Sequence, residues 1–191
     1  MNPRAADHAR DVAAILQTDA ARWHLLGLVR GLRLPDCWIG AGLVRSAVWD
    51  HLHGHTASPI TGDVDVIWHD PDRLDPVEDR AHEAALLREQ PAIRWSVKNQ
   101  ARMHLRNGDP VYGSAVDAMR YWSETATAVA ARRHEDDSCE IAAPFGLDDL
   151  MGLIVRPTPR FEVEKRAVYE HRLRTKAWPI RWPRLREADR P

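Results

Sequence analysis

The stretch WIGAGLVRSAVWDHLHGHTASPITGDVDVIWHD, residues 38 to 70, decides the fold of this chain. An apolar run over 37–42 ends in glycines, a helical pattern follows over 43–54, and a second apolar strand pattern covers 64–68. The pattern predicts a strand, a helix and a second strand. Two carboxylates, Asp63 and Asp65, flank the first residue of that second run and interrupt its apolar character.

The acid pair has a geometric consequence on a strand. Side chains alternate between the two faces, so Asp63 and Asp65 project to one side, while Val64 and Val66 occupy the other. Two ionised carboxylates that lie close together repel, which raises a pKa unless a cation binds beside them. Mg²⁺ and Mn²⁺ suit such oxygen ligands and typically bind one or two carboxylates together with a substrate phosphate. The pair therefore indicates a phosphate-linked metal site, although acids at a strand end also occur where they merely face solvent or cap a turn.

The glycine turn before the helix points in the same direction. Gly40, Ala41 and Gly42 end one predicted strand and open a helix, which leaves free backbone N–H groups at the positive end of the helix dipole. Glycine also lets the backbone approach a ligand closely. The same sequence is also typical of a tight turn that binds no ligand. A glycine turn at a helix start, combined with an acid pair on the next strand, is the arrangement that nucleotidyl transfer uses.

The remaining segments predict further helices and strands around this unit. We expect one or two helices over 8–30, a helix over 75–90, a strand over 93–99 and a short helix over 115–122. TATAVAARR and CEIAAP predict a hairpin around EDDS, and LDDLMGLIV and FEVEKRAVYEHRLRTKAW read as helical. These elements predict a mixed sheet. We expect a single domain over 1–191, with a core over about 37–155 and a C-terminal helical extension over about 160–185.

The order of strand, glycine turn, helix and Asp-x-Asp strand resembles the polymerase-beta-like nucleotidyltransferase superfamily. Within it, the chain is similar to a bacterial family described as nucleotidyltransferase family proteins, formerly a domain of unknown function. The resemblance runs from about Cys37 to Leu185 and implies an α+β fold, with a mixed β-sheet flanked by helices and helical additions at both ends. It implies transfer of a nucleoside monophosphate from an NTP to an acceptor, with Asp63 and Asp65 as catalytic metal ligands. The matching segments are GLVRSAVWDHLHG, DVDVIW, WSVKNQARMH, APFGLDDL, VRPTPRF and KAWPIRWP.

The chain departs from the superfamily pattern at three points. The turn usually reads Gly-Gly or Gly-Ser, whereas Ala41 follows Gly40 here, and HGHTASPIT lengthens the spacer to the acid pair. A third acid is expected on the strand after the pair, yet IRWSVKN contains none. Asp117 and Glu124 are candidates to supply that ligand from another element. The missing acid keeps a second function open, a catalytically inactive nucleotide-binding or interaction module on the same fold.

Basic and amide side chains supply further candidates for nucleotide binding. Arg45, near the start of the predicted helix, is placed either on a triphosphate or in a surface salt bridge. Polar residues crowd the exit of the third strand, where we expect nucleotide or acceptor binding. The alternative there is a solvated loop whose amide side chains bond their own backbone. The polar residues at this exit are Lys98, Asn99, Gln100, Arg102 and His104.

Two other groups of residues are assigned structural roles. The histidines at 51, 53 and 55 lie at a helix end and in a loop, without a familiar metal-binding spacing, so we interpret them as solvated or capping residues. The chain has eight tryptophans. We assign Trp178 and Trp182 to core and tail packing and not to base stacking.

Composition limits the partners and the compartment. A formal net charge of -1 over 191 residues provides no bulk attraction to nucleic acid or membrane, and disfavours a long polynucleotide acceptor. The sequence has no run of about 20 apolar residues that would span a membrane. Two distant cysteines, Cys37 and Cys139, support neither a disulfide framework nor a metal cluster, so we expect a cytoplasmic protein. NTP and Mg²⁺ or Mn²⁺ are the expected ligands, and the acceptor stays open among a small molecule, RNA and protein.

Overall fold

The computed structural model of the protein describes residues 3–188. The five strands that carry the candidate site form a sheet interleaved with helices, as the sequence predicts. The elements in chain order are α1 (Pro3–Thr18), α2 (Ala20–Gly31), β1 (Trp38–Gly40), α3 (Gly42–Leu52), β2 (Asp63–Trp68), α4 (Pro76–Glu89), β3 (Arg94–Asn99), α5 (Gln100–Asn107), α6 (Ala115–Met119), β4 (Ala130–Arg133), β5 (Cys139–Ala142), α7 (Asp148–Met151), β6 (Ile154–Val155), α8 (Pro159–Glu162), α9 (Arg166–Lys176), a 3₁₀ turn (Trp178–Ile180) and β7 (Arg186–Glu187).

The main sheet is mixed and has the order β3-β2-β1-β4-β5. β2 and β3 are parallel, and the other neighbouring pairs are antiparallel. Although a helix connects β1 to β2, the two strands pair antiparallel, with Gly40 opposite Asp65. This pairing sets the end of β1, and with it the N-terminus of α3, beside the first half of β2. β6 and β7 form a separate two-stranded parallel sheet.

The alternation in β2 separates two faces of the sheet. Val64 and Val66 are fully buried in the main core, together with Trp68. Ile67 faces the other way and packs in a second, smaller core that includes Trp38. Burial of a valine or leucine side chain stabilises a fold by about 1.5–3 kcal/mol, so a register slip of one residue would exchange this gain for buried carboxylates. The apolar face therefore fixes the direction of the acid pair.

The main core joins both ends of the chain. It includes Val12 and Leu16 of α1 as well as Tyr169, Trp178 and Trp182 near the C-terminus. The residues that the sequence suggested as a C-terminal extension thus contribute side chains to the same core as the sheet. Among the described residues, no helix has the length and apolar character needed to cross a membrane.

Residues 100–107 form helix α5 directly after β3, which corrects the alternative of a solvated loop at this strand exit. Asn99 caps this helix through a hydrogen bond from the Ala101 N–H, and Gly108 ends it in the left-handed conformation with φ 65°. The predicted helix over 115–122 is shorter and ends at Met119.

The C-terminal helices also differ from the prediction. Two helices, α8 and α9, replace the single helix predicted over FEVEKRAVYEHRLRTKAW. The chain bends between them, where Arg160 and Lys165 both form ion pairs with Asp109. LDDLMGLIV is helical only over α7. Leu153 then adopts φ 56° and turns the chain into β6.

Candidate functional site

An open pocket of about 260 Å³ lies against the sheet at the side that carries Asp65. The turn from β1 into α3 forms one wall, the ends of β2 and β3 form the floor, and α5 and α9 form the other walls. The residues that line it include Ala41, Asp65, Ser96, Lys98, Gln100, Met103, Asn107, Trp122, Thr127 and Arg172. Five stretches that are distant in the sequence therefore meet at Asp65, at 41, 65–67, 96–107, 122–127 and 172.

The two acids of the pair have different surroundings. Asp63 is 61% exposed, and its Oδ1 lies 3.1 Å from Nε of Arg94, its register partner on β3. Asp65 is more deeply placed, and its register partner Ser96 hydrogen-bonds to it. Burial and, secondly, the negative charge of Asp63 raise the pKa of Asp65, and the Ser96 hydrogen bond opposes this only in part. The raised pKa of Asp65 means that its surroundings disfavour the ionised form of this carboxyl.

Helix α9 brings positive charge to this acid. Arg172 and Lys176 both lower the pKa of Asp65, in opposition to the effects of burial and of Asp63. They lie four residues apart and therefore share one face of the helix. The sequence analysis treated this segment as a charged amphipathic helix and assigned no site residue to it. The i, i+4 spacing of two cations was the available signal, but it does not show which element the helix packs against.

A buried glutamate holds Arg172. Glu124 is 0% exposed, and its Oε1 accepts a hydrogen bond of 2.7 Å from Nε of Arg172. Within residues 3–188, its Oε2 atom has no hydrogen-bond partner. A buried carboxylate of this kind is stabilised when cations surround it. Arg45 is the second cation, since the charge of Glu124 acts on its guanidinium.

Arg45 lies in a buried position between two tryptophans. It is 8% exposed, and its guanidinium carbon lies 4.9 Å from the ring centroid of Trp49 and 4.7 Å from that of Trp178. Nη1 lies 3.4 Å from Oγ1 of Thr127 in the pocket wall. Burial lowers the pKa of Arg45 to about 10, although Glu124 acts in the opposite direction. The surface salt bridge is therefore wrong, and the guanidinium lies behind the pocket wall.

The glycine turn has a strained centre. Ala41 adopts φ 53° and ψ -118°, a conformation that L-residues rarely adopt and glycine tolerates. Its N–H donates to the carbonyl oxygen of Val129 at 2.8 Å. The N–H groups of Gly42 and the next two residues remain as the free donors at the N-terminus of α3, as far as the described residues show. Gly40 has a packing role, since a Cβ there would lie 2.7 Å from the ring of Trp122.

The residues predicted at the exit of β3 fall into two groups, those that line the pocket and those that do not. Lys98 and Gln100 line the pocket, although Nζ of Lys98 is bonded to Glu83 at 2.6 Å. Asn99 is 1% exposed, and its amide bonds the backbone around Asp70 and Arg73 as well as capping α5. Its bond to the Ala101 N–H is the local backbone bonding that the alternative expected, but the residue is buried at a helix start and does not lie in a solvated loop.

Arg102 does not line the pocket and forms an ion pair with the buried Asp79. Neither it nor Asn99 is among the pocket residues, so we leave both out of the proposed site.

No third carboxylate joins the pair in the part of the chain that the structure describes. Ser96 occupies the position beside Asp65 on the next strand. Asp117 instead accepts a hydrogen bond from the N–H of Gly113 and ion-pairs with Arg120. Glu124 belongs to the charged cluster, but Arg172 occupies one of its oxygens.

Two of the three histidines at the α3 end have structural contacts. Nδ1 of His53 lies 2.7 Å from the carbonyl oxygen of Trp49, and Nδ1 of His55 lies 3.1 Å from Asp50. These contacts match the capping interpretation.

Comparison with known proteins identifies related chains. A family described as Nucleotidyltransferase matches residues 27–186. A structure solved by NMR and described as a CCA-adding enzyme head domain is 33% identical, over 95% of this chain and 96% of that chain, with a TM-score of 0.81. No curated protein matches this chain.

More distant structures share the fold. A CCA-adding enzyme in complex with CTP has a TM-score of 0.59 at 14% identity, over 93% of this chain and 43% of that chain. The Thermotoga maritima CCA-adding enzyme complexed with tRNA has a TM-score of 0.55 at 16% identity, over 87% of this chain and 38% of that chain. The chain thus spans about two fifths of the length of these two enzymes.

Proposed function

Because the chain belongs to the nucleotidyltransferase family, we propose that it is a metal-dependent enzyme that moves a nucleoside monophosphate from an NTP to an acceptor and releases pyrophosphate. The observation that carries the proposal is the convergence of Asp65, the N-terminal turn of α3 and Arg172 on one pocket. An acid, a set of backbone donors and a guanidinium are the groups that a metal-bound triphosphate requires.

Asp63 and Asp65 are the residues proposed to hold Mg²⁺ or Mn²⁺. Their chemistry fits these ions, since two carboxylates share one strand face, and burial and Asp63 raise the pKa of Asp65. Such ions complete their shells with water and phosphate oxygens, which makes a third carboxylate dispensable for binding. When bound, the ion would neutralise charge on the triphosphate.

The chain's own cations and backbone would orient the phosphates. Nε of Arg172 is bonded to Glu124, so its two terminal nitrogens are the ones available to phosphate oxygens. Lys176 adds a second charge from the same helix face. The free N–H groups at the start of α3 complete the cradle. Lys98 can join only if it shares its ammonium with Glu83. Catalysis on this proposal consists of positioning and charge neutralisation.

The acceptor is proposed to be a hydroxyl-bearing molecule. The two more distant structures contain CTP or tRNA, which makes an RNA 3′ hydroxyl one candidate beside small molecules and proteins. A catalytically inactive nucleotide-binding module is the second candidate function. Two observations favour it, namely Ser96 in place of an acid and the ion pair that Arg94 forms with Asp63.

Turnover separates the two candidate functions. The protein is incubated with each of the four NTPs and Mg²⁺ or Mn²⁺, and pyrophosphate release is measured with tRNA transcripts that carry or lack the terminal CCA, and without RNA. Asp65→Asn serves as the inactive control. Pyrophosphate release that requires the metal and is absent from Asp65→Asn supports the proposed enzyme. NTP binding without release in any arm supports the module, and absence of both binding and release contradicts the two candidates together.

A further inference from the structure

The C-terminal segment folds back onto α3 next to the pocket. We call residues 178–187 the C-terminal clasp. Its two tryptophans, Trp178 and Trp182, are 5% and 4% exposed and pack edge-on against Trp49, with ring centroids 5.4 and 5.1 Å away. Asp50 fixes the clasp, since it accepts hydrogen bonds from Arg181 and from the indole N–H of Trp182. The clasp is thus anchored to the helix that begins at the candidate phosphate turn.

Only one of these two tryptophans contacts Arg172 in the pocket and Arg45 behind its wall. The guanidinium carbon of Arg45 lies 4.7 Å from the ring centroid of Trp178, and that of Arg172 lies 5.6 Å from it. Within the described residues, the cation that lies over the ring of Trp182 is Arg181, at 5.3 Å, and neither Arg45 nor Arg172 does so. The two indoles therefore match in burial and in their contact with Trp49, but differ in their contact with the site.

The contact matters because the two guanidinium groups repel each other. The charge of Arg172 lowers the pKa of Arg45, while burial is the larger cause of that shift. Glu124 holds Arg172 through a single nitrogen, Nε, which does not by itself fix the direction of the other two. An aromatic face attracts a guanidinium and orients its plane. The ring of Trp178 supplies the second constraint.

We propose that Trp178 is a positioning residue for triphosphate binding, whose ring fixes the guanidinium groups of Arg45 and Arg172 beside Asp65. The inference rests on the proposed function. It makes Trp178, alone among the two clasp tryptophans, part of the site, so that this residue affects nucleotide affinity and not stability alone. Trp178 touches no ligand on this proposal, since it acts through the two arginines.

The test compares Trp178→Leu, Trp178→Phe and Trp182→Phe with the wild-type chain. The affinity for tripolyphosphate with Mg²⁺, and for ATP and CTP with Mg²⁺, is measured by calorimetry, and the thermal midpoint is measured in parallel. We expect Trp178→Leu to weaken binding by about tenfold and Trp178→Phe by about threefold, because the smaller ring retains part of the cation contact. Trp182→Phe loses its hydrogen bond to Asp50, so the midpoint falls while affinity stays within about twofold.

The outcomes distinguish this inference from the proposed function. A wild-type chain that binds none of the three probes overturns both. If the wild type binds, equal affinity losses in Trp178→Phe and Trp182→Phe, or no loss in either, overturn the positioning role and leave the proposed function standing. If Trp178→Leu fails to fold, the comparison of the two phenylalanine variants decides the matter alone.

Discussion

Asp50→Asn tests how the C-terminal clasp is held. The Asp50 side chain is 1% exposed and accepts hydrogen bonds from two nitrogens of Arg181, at 3.0 Å each. The indole N–H of Trp182 at 2.8 Å, the hydroxyl of Ser58 at 2.5 Å and Nδ1 of His55 at 3.1 Å complete the set. Asparagine keeps the shape but replaces one oxygen with an NH₂ group that faces donors. The variant therefore loses the charge and at least one hydrogen bond to Arg181.

The cost follows from this geometry. Removal of one partner from a buried ion pair costs about 3–5 kcal/mol, and since Arg181 keeps 32% side-chain exposure and can be solvated, we expect the lower end, about 3 kcal/mol. For a chain of this length, that loss corresponds to a fall in Tm of about 6–12 °C. Ser58→Ala is the matched control, because it removes one neutral donor to the same carboxylate and should cost about 1 kcal/mol.

The same site predicts a pH dependence. Burial acts to raise the pKa of Asp50, but the hydrogen bonds from Arg181, Ser58, Trp182 and His55 together lower it below the ordinary value of 3.8. A carboxyl whose folded-state pKa is depressed contributes stability above the unfolded pKa and loses it as the pH falls through the folded pKa. The difference between wild type and Asp50→Asn should be full at pH 7 and should shrink below about pH 4.

Urea unfolding at pH 7, 5 and 3.5 measures this difference. A free energy of unfolding for Asp50→Asn within about 1 kcal/mol of wild type at pH 7 would refute the assigned role of the pair. A difference that stays constant down to pH 3.5 would refute the pKa argument.

Three further substitutions test the pocket wall. Ala41→Gly should raise the free energy of unfolding by up to about 1 kcal/mol, since relief of backbone strain outweighs the added entropy of the unfolded chain. A lower free energy of unfolding in urea would contradict the strain. Gly40→Val should lower the free energy of unfolding by about 1–3 kcal/mol, because the new side chain clashes with the ring of Trp122. Trp122→Leu in the same chain should recover part of this loss, and additive losses of the two substitutions would exclude the clash. Glu124→Gln should cost about 3 kcal/mol, because it leaves the buried Arg45 and the half-buried Arg172 without their counter-charge. Glu140→Gln, at an exposed pair, should cost at most about 1 kcal/mol, and similar melting points for these two variants would contradict the role of Glu124 in the cluster.

Local patterns predicted the elements that form the site. The glycine turn and the helical period over 43–54 located α3, and the alternation around Asp63 and Asp65 located β2 and its two faces. These features depend on neighbouring residues and on burial of one face, which the sequence displays directly. Helix α5 was missed because its start and end depend on the Asn99 cap and on Gly108, while its apolar positions are few.

The distant part of the site was not predictable in the same way. Glu124 was a candidate only as an acid of unknown position, and Arg172 and Trp178 were assigned no site. Their roles depend on how α9 and the clasp pack against α3, which the main core and Asp50 determine. Arg45 was found by its place after the glycines, but its burial between two tryptophans depends on the same packing. The assignment of Asp63 and Asp65 as metal ligands remains a prediction.

The most direct test of that assignment is the thermal midpoint of wild type, Asp63→Asn and Asp65→Asn, each with and without Mg²⁺ and NTP. A ligand at 100 times its Kd stabilises the folded state by about 2.7 kcal/mol, so the wild-type midpoint should rise by about 5–10 °C. Asp137→Asn, at an exposed acid paired with Arg133, should keep the whole rise. Without ligand, Asp65→Asn should be as stable as wild type or slightly more stable at pH 7, because burial and Asp63 raise the pKa of Asp65 and its ionised form is the unfavourable one in the folded state. We predict that Asp63→Asn and Asp65→Asn lose most of the ligand-induced rise; a rise that survives both substitutions would contradict the metal site.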